Sequence, residues 1–147
     1  KEPKSIVKKM EKKKYDKTYL NLIEKINDIA GIRIVCTLKD DIFFIRDLVK
    51  QIPDIHVLKE KDYVTNPKES GYSSYHMIVE VPVKLTQKTI YVKCEIQIRT
   101  LAMDFWASFE HKVKYKTKND VNPKMSKELV SCAKMINKFD TKMINYK

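Results

Sequence analysis

In the stretch EIQIRT, Glu95, Gln97 and Arg99 alternate with Ile96 and Ile98, and Thr100 then leads into the apolar run LAMDFWA. A carboxylate, an amide and a guanidinium spaced two apart share one side of an extended strand, because successive side chains point to opposite faces. The alternation runs back through Lys93, Tyr91 and Thr89 on the polar parity, with Cys94, Val92 and Ile90 on the other. Taken alone, this pattern favours a half-buried strand whose polar side meets water. A second carboxylate, Asp28, sits at the mouth of the apolar stretch IAGIRIVC. If the two strands are neighbours, Asp28 and Glu95 could hold Mg2+, a hard cation that takes one or two carboxylates and leaves its other positions to phosphate and water. Two unrelated acids at strand ends is the reading that sequence alone favours.

Three other groups have side chains suited to nucleotides. In KESGYSSYH, Gly71 permits a turn with positive φ and Tyr72 beside it can project as a stacking platform for a base, with Lys68, Lys61 and Lys59 nearby to neutralise phosphate. A loop whose Tyr72 and Tyr75 pack on the core accounts for the pattern about equally well. Arg33 interrupts a strand of Ile, Val, Ala and Gly; such an arginine faces solvent, pairs with a carboxylate, or stacks on a base. Lys1, Ser5 and Lys9 fall at i, i+4 and i+8 on a short helix, a basic ridge with one hydroxyl. Alone, that ridge is a solvated helix face.

Composition narrows the partner. Thirty basic against nineteen acidic residues leave a net charge of +11, which implies an anionic partner such as nucleotide phosphates, nucleic acid or a membrane surface. The longest wholly apolar run, Ile42 to Ile45, is far too short to span a bilayer, and no secretory leader is visible. Cys36, Cys94 and Cys132 form no CxxC pair and are odd in number, which fits a reducing cytoplasm. His56, His76 and His111 make no zinc spacing. With glycine only at positions 31 and 71, neither a P-loop nor a GxGxxG turn can be written.

The elements that must position these residues follow from periodicity. Helices are expected over 3–14, 18–26, 40–51, from Thr100 as N-cap to about 115, and from 126 to the end. Strands are expected over 29–36, 55–61, 74–82 and 89–99. The helix after Thr100 is expected to bury Leu101, Phe105, Phe109 and Val113, with Trp106 alongside, and to expose Asp104, Ser108, His111 and Tyr115. This mixture indicates one α+β domain with helices against a sheet. The lysine start and the helical end suggest a chain trimmed at both ends.

DIAGIRIVC, KDYVTNPKESGYSSYH and EIQIRTLAMDFWASFEHKVKYK, in this order and spacing, resemble the synthetase domain of the RelA/SpoT family, most closely its small single-domain alarmone synthetases. The resemblance runs from Lys1 to about Lys116. It implies a nucleotidyltransferase fold like that of polymerase β, with a mixed five-stranded sheet flanked by helices, and a single synthetase domain over residues 1–147. It also implies a GTP pyrophosphokinase of the stringent response. In that reaction the 3′-hydroxyl of GDP or GTP attacks the β-phosphorus of ATP, AMP leaves, and ppGpp or pppGpp forms with Mg2+ as cofactor.

Roles carry over where positions match the family's motifs. Asp28 is similar to the Mg2+-binding aspartate and Glu95 to the essential glutamate that positions metal or activates the 3′-hydroxyl. Arg33 resembles the arginine that stacks on adenine, while Lys1, Ser5 and Lys9 resemble the element that grips ATP phosphates. Tyr72 resembles the tyrosine that stacks on guanine, with Lys61, Lys68 and His76 near that nucleotide's phosphates. Gln97 and Arg99 complete the polar face, and Asp104 and His111 line the same side from the next helix. An arginine that opens the phosphate-gripping element in relatives would precede Lys1. Ser73 stands where many relatives have arginine, and in KEKD (residues 59–62) lysine replaces arginine, keeping the charge but losing the bidentate fork. No HD-type hydrolase sequence is present, so synthesis without hydrolysis is expected. The resemblance further implies a cytoplasmic homotetramer. Relatives that modify the 3′ end of tRNA, and an inactive nucleotide-binding module, are the alternatives.

Overall fold

A computed structural model describes residues 3–117 and 121–146. The element order is α1 (Pro3–Lys12), α2 (Tyr19–Lys25), β1 (Ala30–Cys36), α3 (Lys39–Gln51), β2 (His56–Asp62), β3 (Tyr75–Lys84), β4 (Thr89–Thr100), α4 (Leu101–Lys116) and α5 (Pro123–Ile144). Local chemistry sets most of these boundaries. Thr18 caps α2 by accepting from the Asn21 amide, and Thr100 caps α4 by accepting from the Met103 amide. Asp40 and Asp41 lie in the first turn of α3, where carboxylates meet the positive end of the helix dipole. The last helix begins earlier than expected. Asn122 caps it and Pro123 occupies its first turn, a position where proline's missing N–H costs nothing.

The sheet order is β1-β4-β3-β2. β1 runs parallel to β4, and the other two pairings are antiparallel, so the sheet is mixed. It holds four strands among the described residues, not the five implied by resemblance. One face carries Tyr75, Met77, Val79, Ile96 and Ile98, all buried, which pack with Ile42 and Val49 of α3. A smaller core joins α4 to α5 through Trp106, Ala107, Leu129 and Ala133.

That second core corrects the expected orientation of α4. Leu101, Phe105 and Phe109 are 65%, 68% and 48% exposed, whereas Met103, Trp106 and Ala107 are buried. Helical periodicity correctly offered an apolar stripe, but α5 packs on a different one, anchored by the Trp106 indole N–H donating to the Leu129 carbonyl at 3.1 Å. The indole needs a buried acceptor, and α5 supplies it.

Candidate active site

Strand register builds the site. Lys61 pairs with His76, His76 with Gln97, and Gln97 with Arg33, so one row crosses all four strands on the face opposite α3. The adjacent row is Lys59, Ile78, Glu95 and Gly31. Directly opposed residues in a sheet project to the same side, so the polar parity of β4 meets an arginine from β1 and a histidine from β3. Asp28, just before β1, lines a cleft of about 240 Å³ with Arg33, Glu95 and Gln97.

The groups on this face form a continuous hydrogen-bond network. His76 Nδ1 lies 3.2 Å from Glu95 Oε1, and His76 Nε2 lies 2.8 Å from the Tyr72 hydroxyl. A carboxylate only accepts, so Nδ1 carries a proton, and Arg99 Nη2 also donates to the phenol oxygen. Gln97 Nε2 donates to Glu95 Oε2 at 2.9 Å, and Gln97 Oε1 accepts from Arg99 at 2.8 Å. The His76 hydrogen bond, with help from Gln97, holds the Glu95 carboxyl below its ordinary value despite desolvation and the nearby charge of Asp28. Glu95 is thus a carboxylate held ionised, better suited to binding a cation or orienting a hydroxyl than to taking up a proton. Asp28 is reached from α1 by Lys9, at 2.6 Å.

Arg99 is the least expected member. It is only 5% exposed. Besides Tyr72 and Gln97 it donates through Nε to Ser74 Oγ at 3.2 Å and through Nη1 to Asp104 Oδ1 at 3.1 Å. A buried guanidinium with all three nitrogens engaged is a positioning group, because desolvating it is tolerable only when its donors are satisfied. The same Asp104 oxygen lies 3.1 Å from Arg33 Nη1.

The loop bearing Tyr72 is closed by its own backbone. The Tyr63 amide donates to the Ser74 carbonyl, Lys68 to Tyr72, and Gly71 to Lys68. Gly71 has φ of +88°, and a Cβ placed there would come within 2.4 Å of the Ala133 Cβ on α5. Lys68 Nζ sits 4.7 Å and 4.9 Å from the ring centroids of Tyr63 and Tyr72, favourable contacts between a cation and an aromatic face. A mainly apolar cavity of about 450 Å³ lies behind this loop between α4 and α5, away from the carboxylates. Ser73 lines it, buried, and its hydroxyl has no hydrogen-bond partner among the described residues.

Of the side chains singled out from sequence, Asp28, Arg33, Glu95, Gln97, His76, Tyr72, Arg99 and Asp104 converge on this region, with Lys9 and Lys68 on its borders and Lys61 exposed at the end of its row. Ser5 is exposed on α1. His111 is exposed on α4, two turns past Asp104 and about 10 Å farther along the axis at 1.5 Å per residue. Lys1 lies outside the described residues. Sequence reasoning missed Tyr63, which packs edge-on against His76 and under Lys68, and Ser74, which anchors Arg99. Their only signal was position, at the two ends of the loop that carries Tyr72. No group of three or more His, Cys, Asp or Glu suited to a metal occurs among the described residues.

Known proteins are similar to this chain in sequence and in fold. The chain is 47% identical over 143 residues to the GTP pyrophosphokinase YwaC of Bacillus subtilis, covering 97% of the chain and 68% of that protein. It is 37% identical over 134 residues to the GTP pyrophosphokinase YjbM of the same organism, covering 91% of the chain and 64% of YjbM. The crystal structure of small alarmone synthetase 1 from Bacillus subtilis bound to its product pppGpp superposes with a TM-score of 0.89 at 36% identity, covering 99% of the chain and 74% of that structure. The model of the region found in RelA and SpoT proteins matches residues 1–120, and the chain belongs to the RelA/SpoT family.

Proposed function

We propose that this protein is a GTP pyrophosphokinase that transfers pyrophosphate from ATP to the 3′-hydroxyl of GDP or GTP, yielding ppGpp or pppGpp and AMP. The observation that carries this reading is the row Lys61–His76–Gln97–Arg33 beside Glu95 and Asp28. Arg33 and Glu95 share one face of the sheet, Asp28 lines the same cleft, and Tyr72, beside Lys68, is hydrogen-bonded to His76. Such a transfer needs alignment and charge neutralisation more than a covalent intermediate.

Arg33 offers a guanidinium face to adenine, with Lys9, and by resemblance Ser5 and Lys1, at the ATP phosphates. Tyr72 offers its ring to guanine, and Lys68 moves from that ring to the acceptor's phosphates, which Lys61 also flanks. His76 and Gln97 hold Glu95 ionised and aimed, and the carboxylate orients the 3′-hydroxyl. Asp28 and Glu95 fit Mg2+: both are hard oxygen donors on one cleft, and two protein carboxylates leave the remaining positions to phosphate and water. Bound there, Mg2+ would neutralise charge developing on the transferred group. The same reading makes residues 1–147 a single synthetase domain of a cytoplasmic homotetramer; no helix among the described residues is long and apolar enough to cross a membrane.

The test is incubation of the protein with Mg2+, ATP labelled at its β- and γ-phosphates, and GDP, GTP, GMP or tRNA. Label is expected on the guanosine 3′-position, with AMP formed in equal amount. Label on tRNA alone, or none on any acceptor, contradicts the proposal.

A further inference from the structure

Asp104 stands between the two groups assigned to the two bases. Its Oδ1 accepts from Arg99 Nη1 at 3.1 Å and lies 3.1 Å from Arg33 Nη1. Arg99 in turn donates to the Tyr72 hydroxyl and lies 5.2 Å from the Tyr72 ring centroid. Arg33, Asp104, Arg99 and Tyr72 therefore form an unbroken chain from the β1 edge to the acceptor loop. Its links are unequal. The side chains of Arg33, Asp104 and Arg99 are 49%, 27% and 6% exposed. The buried end is fixed by four partners, whereas the Arg33 end is half in water, where an ion pair is weak and rotamer freedom is large.

We propose that Asp104 is a positioning residue that couples the two nucleotide sites. This rests on the proposed function, with adenine on Arg33 and guanine on Tyr72. A guanidinium stacks through its face and hydrogen-bonds in its plane, so Arg33 can carry a base while its edge stays on Asp104. A base seated on Arg33 removes that side chain's freedom and holds Asp104 in place. Asp104 so held keeps its bond to Arg99 Nη1, one of the four that align Arg99 on the Tyr72 hydroxyl. The second nucleotide meets a partner already ordered and binds more tightly, without any change of fold. Coupling of this kind is reciprocal: each nucleotide raises the affinity for the other by the same factor.

The test measures binding, not turnover. The dissociation constant for GDP is determined by calorimetry with and without saturating α,β-methylene ATP in the presence of Mg2+, and the experiment is then reversed. The wild-type protein is expected to bind GDP about fivefold or more tightly with the analogue present, at the lower end of typical coupling, with the same ratio in reverse. Asp104→Asn, nearly isosteric but uncharged, is expected to bring both ratios to one, and Arg33→Gln to do the same. A purely structural role for Asp104 would change the individual affinities and leave the ratio intact, so a retained ratio in a variant with wild-type circular dichroism overturns the proposal. A ratio of one in the wild type overturns it as well. If the wild type binds neither nucleotide, the functional reading fails and the coupling with it; if both bind without coupling, only the coupling fails.

Discussion

Two tyrosine–carboxylate–arginine groups lie on opposite faces of the sheet formed by β2, β3 and β4, and they serve different ends. On the α3 face, Tyr75 donates to Glu60, Lys50 of α3 pairs with Glu60 at 2.9 Å, and Arg46 of α3 lies over the Tyr75 ring. Both basic partners there, Arg46 and Lys50, belong to a helix clamped on the sheet. On the opposite face, Tyr72, His76, Glu95 and Arg99 form a similar network, but it joins a loop to the sheet and borders a cleft. Burial and Glu60 push the Tyr75 phenol up to about 12, which keeps it a donor over the whole working range. Glu95 is instead held ionised by His76 and Gln97. The same residue types therefore fasten a helix on one side and present a charge on the other. The difference lies in whether a helix or a loop covers them.

Breaking the two networks separately sharpens the contrast. Glu95→Gln is expected to lower turnover by about 10²–10³-fold, as for loss of an oriented charge in a reaction centre, while the melting temperature stays close to wild type. Substantial remaining turnover would assign the chemistry elsewhere. Tyr72→Ala is expected to cost about 1–3 kcal/mol of acceptor affinity, the usual worth of a stacked base, with no matching change for ATP; an unaltered GDP affinity would refute stacking. Gly71→Ala forces a side chain into positive φ and against Ala133, an expected cost of about 1–3 kcal/mol, read as a raised KM for the acceptor and a lower melting temperature. A neutral outcome would mean that the turn relaxes freely.

Glu60→Gln is expected to cost about 1 kcal/mol of stability through its weakened hydrogen bonds and to leave the kinetic constants unchanged. A kinetic effect would show that the two faces communicate. The smallest expected effect is on pH. Because Glu95 titrates below its ordinary value, near 4.5, its ionised contribution is complete above that pH and is lost only as pH falls further. An acid limb of activity near neutrality that vanishes in Glu95→Gln would contradict this.

Much of this was legible in the residues. Period-two alternation put Glu95, Gln97 and Arg99 on one side of β4, and Thr100 marked the start of α4. Gly71 marked the turn that carries Tyr72. Other features were not legible because they depend on which surfaces meet. Two apolar stripes on α4 were compatible with helical spacing, and the choice fell to the one whose Trp106 finds an acceptor on α5. A strand arginine reads as solvent-facing, yet Arg99 is buried because the loop of Tyr72 and the first turn of α4 close over it with enough acceptors.

The sequence by itself determined which side chains share a strand face and where strands, turns and caps begin, since those depend on backbone geometry and near neighbours. Only the tertiary structure decided that β1 lies parallel beside β4 in the register pairing Arg33 with Gln97. Pairing between strands sixty residues apart depends on packing the whole apolar face against α3, and no local pattern encodes it. That register brings Asp28 to Glu95 and Arg33 to Asp104, turning separate charged residues into one site.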